Sequence, residues 1–230
     1  MSAISGPRKS SPGDARERTG PRADDPRVVR TRSAVVDAAR ALFLRDGYSR
    51  TTMDEIAALA GVTKRTLYNN YADKEALFRE IVLDFIAFAE EFARGLQEEL
   101  GGIANAKLRS TLEELGVRLA LAITRRDVIA LRRLLISEAR EFPLLARKYF
   151  DRVPAQVLGA LASAFERLDD AGRLRVPDAR VAASQFAYLV VGEPLDRAML
   201  VGTLPARKHV IACARTGVET FLARYGPAAP

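Results

Sequence analysis

The densest run of hydrogen-bonding side chains in this 230-residue chain is Thr63-Lys64-Arg65-Thr66-Leu67-Tyr68-Asn69-Asn70, in which Leu67 alone is aliphatic. Arg and Lys donors match guanine edges in a major groove, and Asn can bond an adenine edge in a bidentate way. Thr and Tyr hydroxyls suit phosphate oxygens, which fix register without carrying sequence information. No nucleophile with an adjacent base and no glycine-rich phosphate loop accompanies the run. The chemistry it implies is recognition of duplex DNA, not turnover.

Two other groupings hold reactive side chains. Glu138 and Glu141 fall on adjacent turns of an expected helix, as a carboxylate pair would. With no nucleophile beside them and Arg140 and Arg147 in reach, they read as structural ion-pair partners. His209 and Cys213 stand one helical turn apart, but structural zinc takes four ligands. They read as ordinary helix residues, so no metal, no cofactor and no enzymatic activity is expected.

The elements that must position the polar run are two short helices around a tight turn. Counting Met53 as the first position, Ala57 falls fifth, Gly61 ninth and Leu67 fifteenth. Ala57 lets the helices approach, and Gly61 can take the positive φ that a three-residue turn requires. Val62 and Leu67 seal the core between them. Thr52 and Glu55 form a capping box ahead of the first helix, and Thr63 caps the second. Thr51, Thr52 and Lys74 flank the reading helix, with Tyr71 at its end, as candidate clamps on the DNA backbone.

Helical periodicity extends across the rest of the chain. Val35, Ala38, Ala39, Leu42 and Phe43 share one face of a helix that starts near Val28 and is stopped by Asp46-Gly47. Asp73 caps a long helix running to about Gly95. Further helices are expected at 103–123, 127–140, 143–150, 153–171, 178–200 and 206–225, the fifth of these kinked at Pro194. Nothing demands a strand. The fold class is all-α, with nine or ten helices: a helix-turn-helix domain over 28–73, a helical ligand-binding and dimerisation domain over 74–225, and a tail over 226–230.

Residues 1–27 are poor in apolar side chains and read as a disordered basic arm. The segment through Arg32 has eight basic and four acidic residues. It serves either as a solubilising tail or as a source of sequence-independent affinity for DNA. Lys plus Arg exceed Asp plus Glu by 36 to 29, which is compatible with a polyanionic partner without requiring one. A single Cys excludes an intrachain disulfide and points to a reducing compartment. With no secretory h-region and no apolar run of membrane-spanning length, a cytoplasmic location and no membrane partner are expected.

From Ala34 to Val82 the chain resembles the TetR/AcrR family of bacterial transcriptional regulators. The resemblance is carried by Ala38-Ala39, Leu42-Phe43, Gly47-Tyr48, Thr51-Thr52, Ile56-Ala57, Ala60-Gly61-Val62, Leu67-Tyr68, Tyr71 and Lys74-Glu75-Ala76-Leu77. Asn70-Tyr71 departs from the His-Phe or Tyr-Phe that many members carry there. Leu131 to Arg140, Phe142-Pro143, Leu145-Ala146 and Ala171-Gly172-Arg173-Leu174 resemble an AefR-like subgroup. The family resemblance implies a homodimeric repressor whose larger domain binds a small molecule and thereby releases the operator. An activator, a ligand-blind DNA-binding protein and a helical enzyme with an incidental helix-turn-helix are the alternatives.

The resemblance also favours pairing of the last two helices across a two-fold axis, with Leu189, Met199, Val210, Ala214, Val218 and Phe221 at the dimer interface. A single chain could instead bury these stripes internally. Phe85, Phe88, Phe92, Leu121, Leu131, Leu135, Phe142, Phe165 and Phe186 are candidate cavity residues, in a pocket suited to a hydrophobic effector. An apolar aromatic stripe is more often plain core.

Overall fold

The computed structural model describes residues 26–101 and 108–227. The expected arm over 1–27 lies almost wholly outside them, as do the last residues of the tail. The described residues form ten helices and no strand. These are α1 (Pro26–Asp46), α2 (Met53–Ala60), α3 (Lys64–Asn70), α4 (Lys74–Gly101), α5 (Leu108–Ile123), α6 (Arg126–Ser137), α7 (Pro143–Arg152), α8 (Pro154–Asp170), α9 (Ala179–Val201) and α10 (Arg207–Tyr225).

The expected caps form. The Glu55 amide donates to Thr52 Oγ1 at 3.2 Å, and the Thr52 amide donates to Glu55 Oε2 at 2.8 Å, closing the capping box. Gly61 ends α2 with φ of 66°, a conformation that costs any L side chain free energy. Thr63 Oγ1 accepts from the Thr66 amide at 3.1 Å, and Asp73 accepts from the Ala76 amide at 2.8 Å.

Two boundaries differ from expectation. α4 continues through Gly95 to Gly101, since one helical glycine costs about 1 kcal/mol relative to Ala and does not by itself stop a helix. α6 ends at Ser137, whose hydroxyl donates back to the Leu134 carbonyl at 2.9 Å. Residues 138–141 form turns, consistent with Pro143 disfavouring helical backbone at Phe142. Glu138 and Glu141 are therefore not a helical carboxylate pair. Glu138 lies within 3.4 Å of the Ser137 hydroxyl rather than meeting the arginines expected of it.

Two cores divide the molecule, and their border is not at residue 73. One joins α1–α4 to Leu131, Leu134 and Leu135 of α6, Phe142, and Leu145 and Tyr149 of α7. Rings of Tyr48, Phe78 and Phe142 meet there, with centroids 5.0–5.1 Å apart. The second core packs α5, α8, α9 and α10 around Phe165, Phe186 and Phe221. α9 carries Pro194 within its span, buried. α10 approaches α9 so closely at Gly217 that a Cβ there would collide with the Leu189 carbonyl.

Candidate nucleic-acid interface and ligand cavity

α3 turns Leu67 fully inward and leaves its polar side chains facing out. Arg65, Tyr68 and Asn69 fall at helical spacings of three and four, so they share one face. Among the described residues none of the three side chains is tied elsewhere, and Tyr68 is 52% exposed. Their neighbours are already engaged. Lys64 Nζ pairs with Asp54 at 2.6 Å, the Asn70 amide donates to the Thr66 carbonyl at 2.8 Å, and the Thr63 and Thr66 hydroxyls meet at 2.9 Å. The Lys64–Asp54 pair is exposed and therefore weak enough to be exchanged for a phosphate.

The flanking candidates have mainly internal roles in the free chain. Thr51 is 2% exposed and donates to the Gly47 carbonyl at 2.9 Å, so it is not an outward clamp. The Thr52 hydroxyl donates to Glu55 Oε2 at 2.8 Å within the capping box. Lys74 Nζ donates to the carbonyls of Tyr48 at 2.8 Å and Thr51 at 2.9 Å, and lies 4.3 Å from the Tyr48 ring centroid. Of its three N–H groups, one remains for a phosphate.

Tyr71 is likewise a support rather than a reader, being 5% exposed. Its hydroxyl donates to Glu80 at 3.1 Å, and Arg32 bonds the same carboxylate at 2.8 Å. This hub joins the end of α3 to α1 and α4. Burial, then the Glu80 charge, pushes the Tyr71 phenol up to about 12. The same carboxylate raises the Arg32 guanidinium, chiefly through their hydrogen bond.

A cavity of about 340 Å³ lies among α4, α5, α6, α8 and α9, with Tyr149 of α7 in its wall. Phe85, Phe88, Phe92 and Leu131 line it as expected. Leu135 and Phe142 do not, because they turn into the core shared with α1–α4. Phe165 and Phe186 are fully buried against Phe221, and Leu121 packs on that same second core. The wall also contains polar residues absent from the sequence expectation: Arg118, Arg125, Arg132, Tyr149 and Tyr188. Arg132 was legible in part, since it sits between Leu131 and Leu134 at the edge of the buried stripe of α6.

The outer surface of α9 and α10 differs from the expected interface. Val210, Ala214, Val218 and Phe221 are buried within the single chain, packed with α5 and α9 residues. They are core, as the alternative for these stripes allowed. Leu189, 40% exposed, half-buried Met199 and Leu200, 79% exposed, remain on the surface. Between them Glu193 of α9 accepts from His209 Nε2 at 2.6 Å and from Arg197 at 2.7 Å. Cys213 Sγ lies 3.6 Å from that imidazole nitrogen. These contacts hold the Glu193 carboxyl below its usual range, the His209 bond first, while burial and then Glu193 push the Cys213 thiol up. The three offer one ligand fewer than structural zinc takes.

A family model described as bacterial regulatory proteins of the tetR family matches residues 35–81, spanning α1 to the first part of α4. A second, described as the C-terminal domain of an AefR-like transcriptional repressor, matches residues 110–227, just over half the chain. The chain belongs to the TetR family of bacterial transcriptional regulators. A TetR-family structure from Mesorhizobium loti is 30% identical, with a TM-score of 0.77 over 88% of this chain and 100% of that one. The flavonoid-responsive regulator FrrA is 32% identical, with a TM-score of 0.60 over 87% and 100%.

Curated relatives match over less than half of the chain. AcrR of Shigella flexneri is 45% identical over 51 residues, 22% of this chain and 24% of that protein. The A-factor receptor protein of Streptomyces griseus is 34% identical over 100 residues, 41% and 36% of the respective chains. The chain thus spans about a quarter to a third of the length of these relatives. No helix among the described residues is long and apolar enough to cross a membrane.

Proposed function

We propose that this TetR-family protein is a ligand-responsive repressor that binds a near-palindromic operator as a homodimer. The observation that carries the reading is the face of Arg65, Tyr68 and Asn69. They are exposed and, among the described residues, have no internal partner, on a helix whose far end is tied by the Tyr71–Glu80–Arg32 hub. Each α3 enters a major groove, and the two half-sites lie about 34–36 Å apart. Thr63, Lys64, Thr66, Asn70 and the remaining Lys74 N–H contact the phosphates around them. Two copies pair through the outer faces of α9 and α10, where Leu189 and Leu200 are exposed and Met199 half-buried in one chain.

Release begins in the cavity. Leu131 belongs both to the cavity wall and to the core that holds α1–α4, and Tyr149 does the same from α7. An effector that displaces α6 or α7 therefore shifts the platform on which the head rests. Such a body ligand acts only through its different affinity for the bound and released states. The repressor description of the matching C-terminal family and the responsiveness in FrrA's name both support this reading.

Selection of duplexes from a random pool by the purified protein tests it. The expected product is a pair of inverted half-sites about 10–10.5 base pairs apart, or a multiple of that spacing, bound by two chains. A single half-site filled by one chain would overturn the dimeric reading.

A further inference from the structure

Arginines are the only charged residues in the wall of the cavity: Arg118, Arg125 and Arg132 line it, and among the described residues no Asp or Glu does. The three differ in how far they are already engaged. Arg125 donates to Asp127 at 3.1 and 2.7 Å and lies 5.1 Å from the centre of the Phe88 ring. Arg118 lies 6.0 Å from the Phe92 ring. Both are exposed on their outer sides. Arg132 is half-buried, and its Nε–H is fully buried with no hydrogen-bond partner among the described residues.

That donor is costly to leave unmade, and more so on a cation, whose surroundings here are largely aliphatic and aromatic. Tyr149, buried in the same wall, is a neighbour on which the guanidinium acts. A phenol can accept a hydrogen bond but supplies no negative charge near neutral pH. The Arg132 charge, facing no Asp or Glu among the described residues of the wall, is left for something that enters from solution. A neutral hydrocarbon would fill the space without answering the charge. An oxyanion on an apolar body would do both.

We propose that the effector is an amphiphilic anion. Its apolar body lies against Phe85, Phe88, Val157 and Val191, and its oxyanion head is bound by the Arg132 guanidinium with the Tyr149 hydroxyl beside it. The proposal rests on the cavity being the effector site. It goes further by assigning the ligand's charge and the group that reads it. Arg132 follows Leu131 on α6, so the head group would pull on the helix that also contributes Leu134 and Leu135 to the core beneath α1–α4.

Two fluorescent probes with the same aromatic body separate charge from hydrophobicity: anilinonaphthalene sulfonate and its neutral analogue phenylnaphthylamine. Each is titrated into the full chain, with thermal unfolding confirming that every variant is folded. The wild type is expected to bind the sulfonate at least about tenfold more tightly, the scale of a hydrogen bond to a charged group. Arg132→Met should erase that preference and leave the neutral probe's affinity unchanged, while Arg132→Lys retains part of it. Ala122→Trp, which fills the cavity, should weaken both probes.

Equal binding of the two probes by the wild type, or a sulfonate preference that survives Arg132→Met, overturns the anionic assignment. If Ala122→Trp still blocks the neutral probe in that case, the cavity remains the ligand site and only the charge is wrong. If Ala122→Trp leaves both probes bound, the cavity reading itself fails, and this inference with it.

Discussion

Arg65, Tyr68 and Asn69 are the side chains of α3 that remain available when internal bonds are taken into account. Arg65→Ala is expected to weaken operator binding by about 1–3 kcal/mol and to relax preference at one base position. Tyr68→Ala should weaken binding more evenly across sequences, as loss of a phosphate contact does. An anisotropy titration in which neither variant changes affinity would refute the contact assignment. The polar run itself was legible, because its residue types and the Ala57–Gly61–Leu67 spacing suffice to place it on a reading helix. The engagement of its members was not. Lys64 finds Asp54 ten positions earlier, Thr51 is buried by the turn after α1, and Tyr71 closes on Glu80 of a different helix. Such partners depend on tertiary packing, which residue type and spacing do not reveal.

At the scale of helices, caps and breakers were legible because each acts within a few residues: Thr52, Gly61, Thr63, Asp73, Pro143 and Pro154 all fall at element ends. The faces of α9 and α10 were harder. A periodic apolar stripe says that a surface is covered, not which surface covers it. Val210, Ala214 and Val218 are covered by the chain's own α5 and α9, whereas Leu200 is not covered within one chain. The close approach at Gly217 makes this packing testable. Gly217→Ala places a methyl group against the Leu189 carbonyl, and forcing the helices apart should cost on the order of 1–3 kcal/mol. The expected result is a lower midpoint of thermal unfolding. An unchanged midpoint would show that α9 and α10 are less tightly apposed.

For the whole molecule, buried and half-buried phenols set an alkaline limit. Burial is the first cause raising Tyr48, Tyr71 and Tyr149, with Tyr71 reaching about 12 from an ordinary 10.0. Above pH 10 the unfolded chain releases these protons while the folded chain still holds them. The unfolded state then binds fewer protons, so stability falls as pH rises. The contribution is complete below about pH 10 and fades toward 12, and Tyr71→Phe should flatten that decline in thermal unfolding measured across the range. An alkaline limb as steep in Tyr71→Phe as in the wild type would remove Tyr71 as a source.

The Tyr48–Phe78–Phe142 ring contact bears on how such proteins can be recombined. A reading head cut after the start of α4 and joined to another regulator's body would lose Phe142 and expose the faces of Tyr48 and Phe78 that it covers. The transferable unit is the head together with the α6–α7 corner. A chimaera built on that boundary should keep its original operator preference, whereas one cut after the start of α4, through the first core, should fold poorly before its specificity can be asked about.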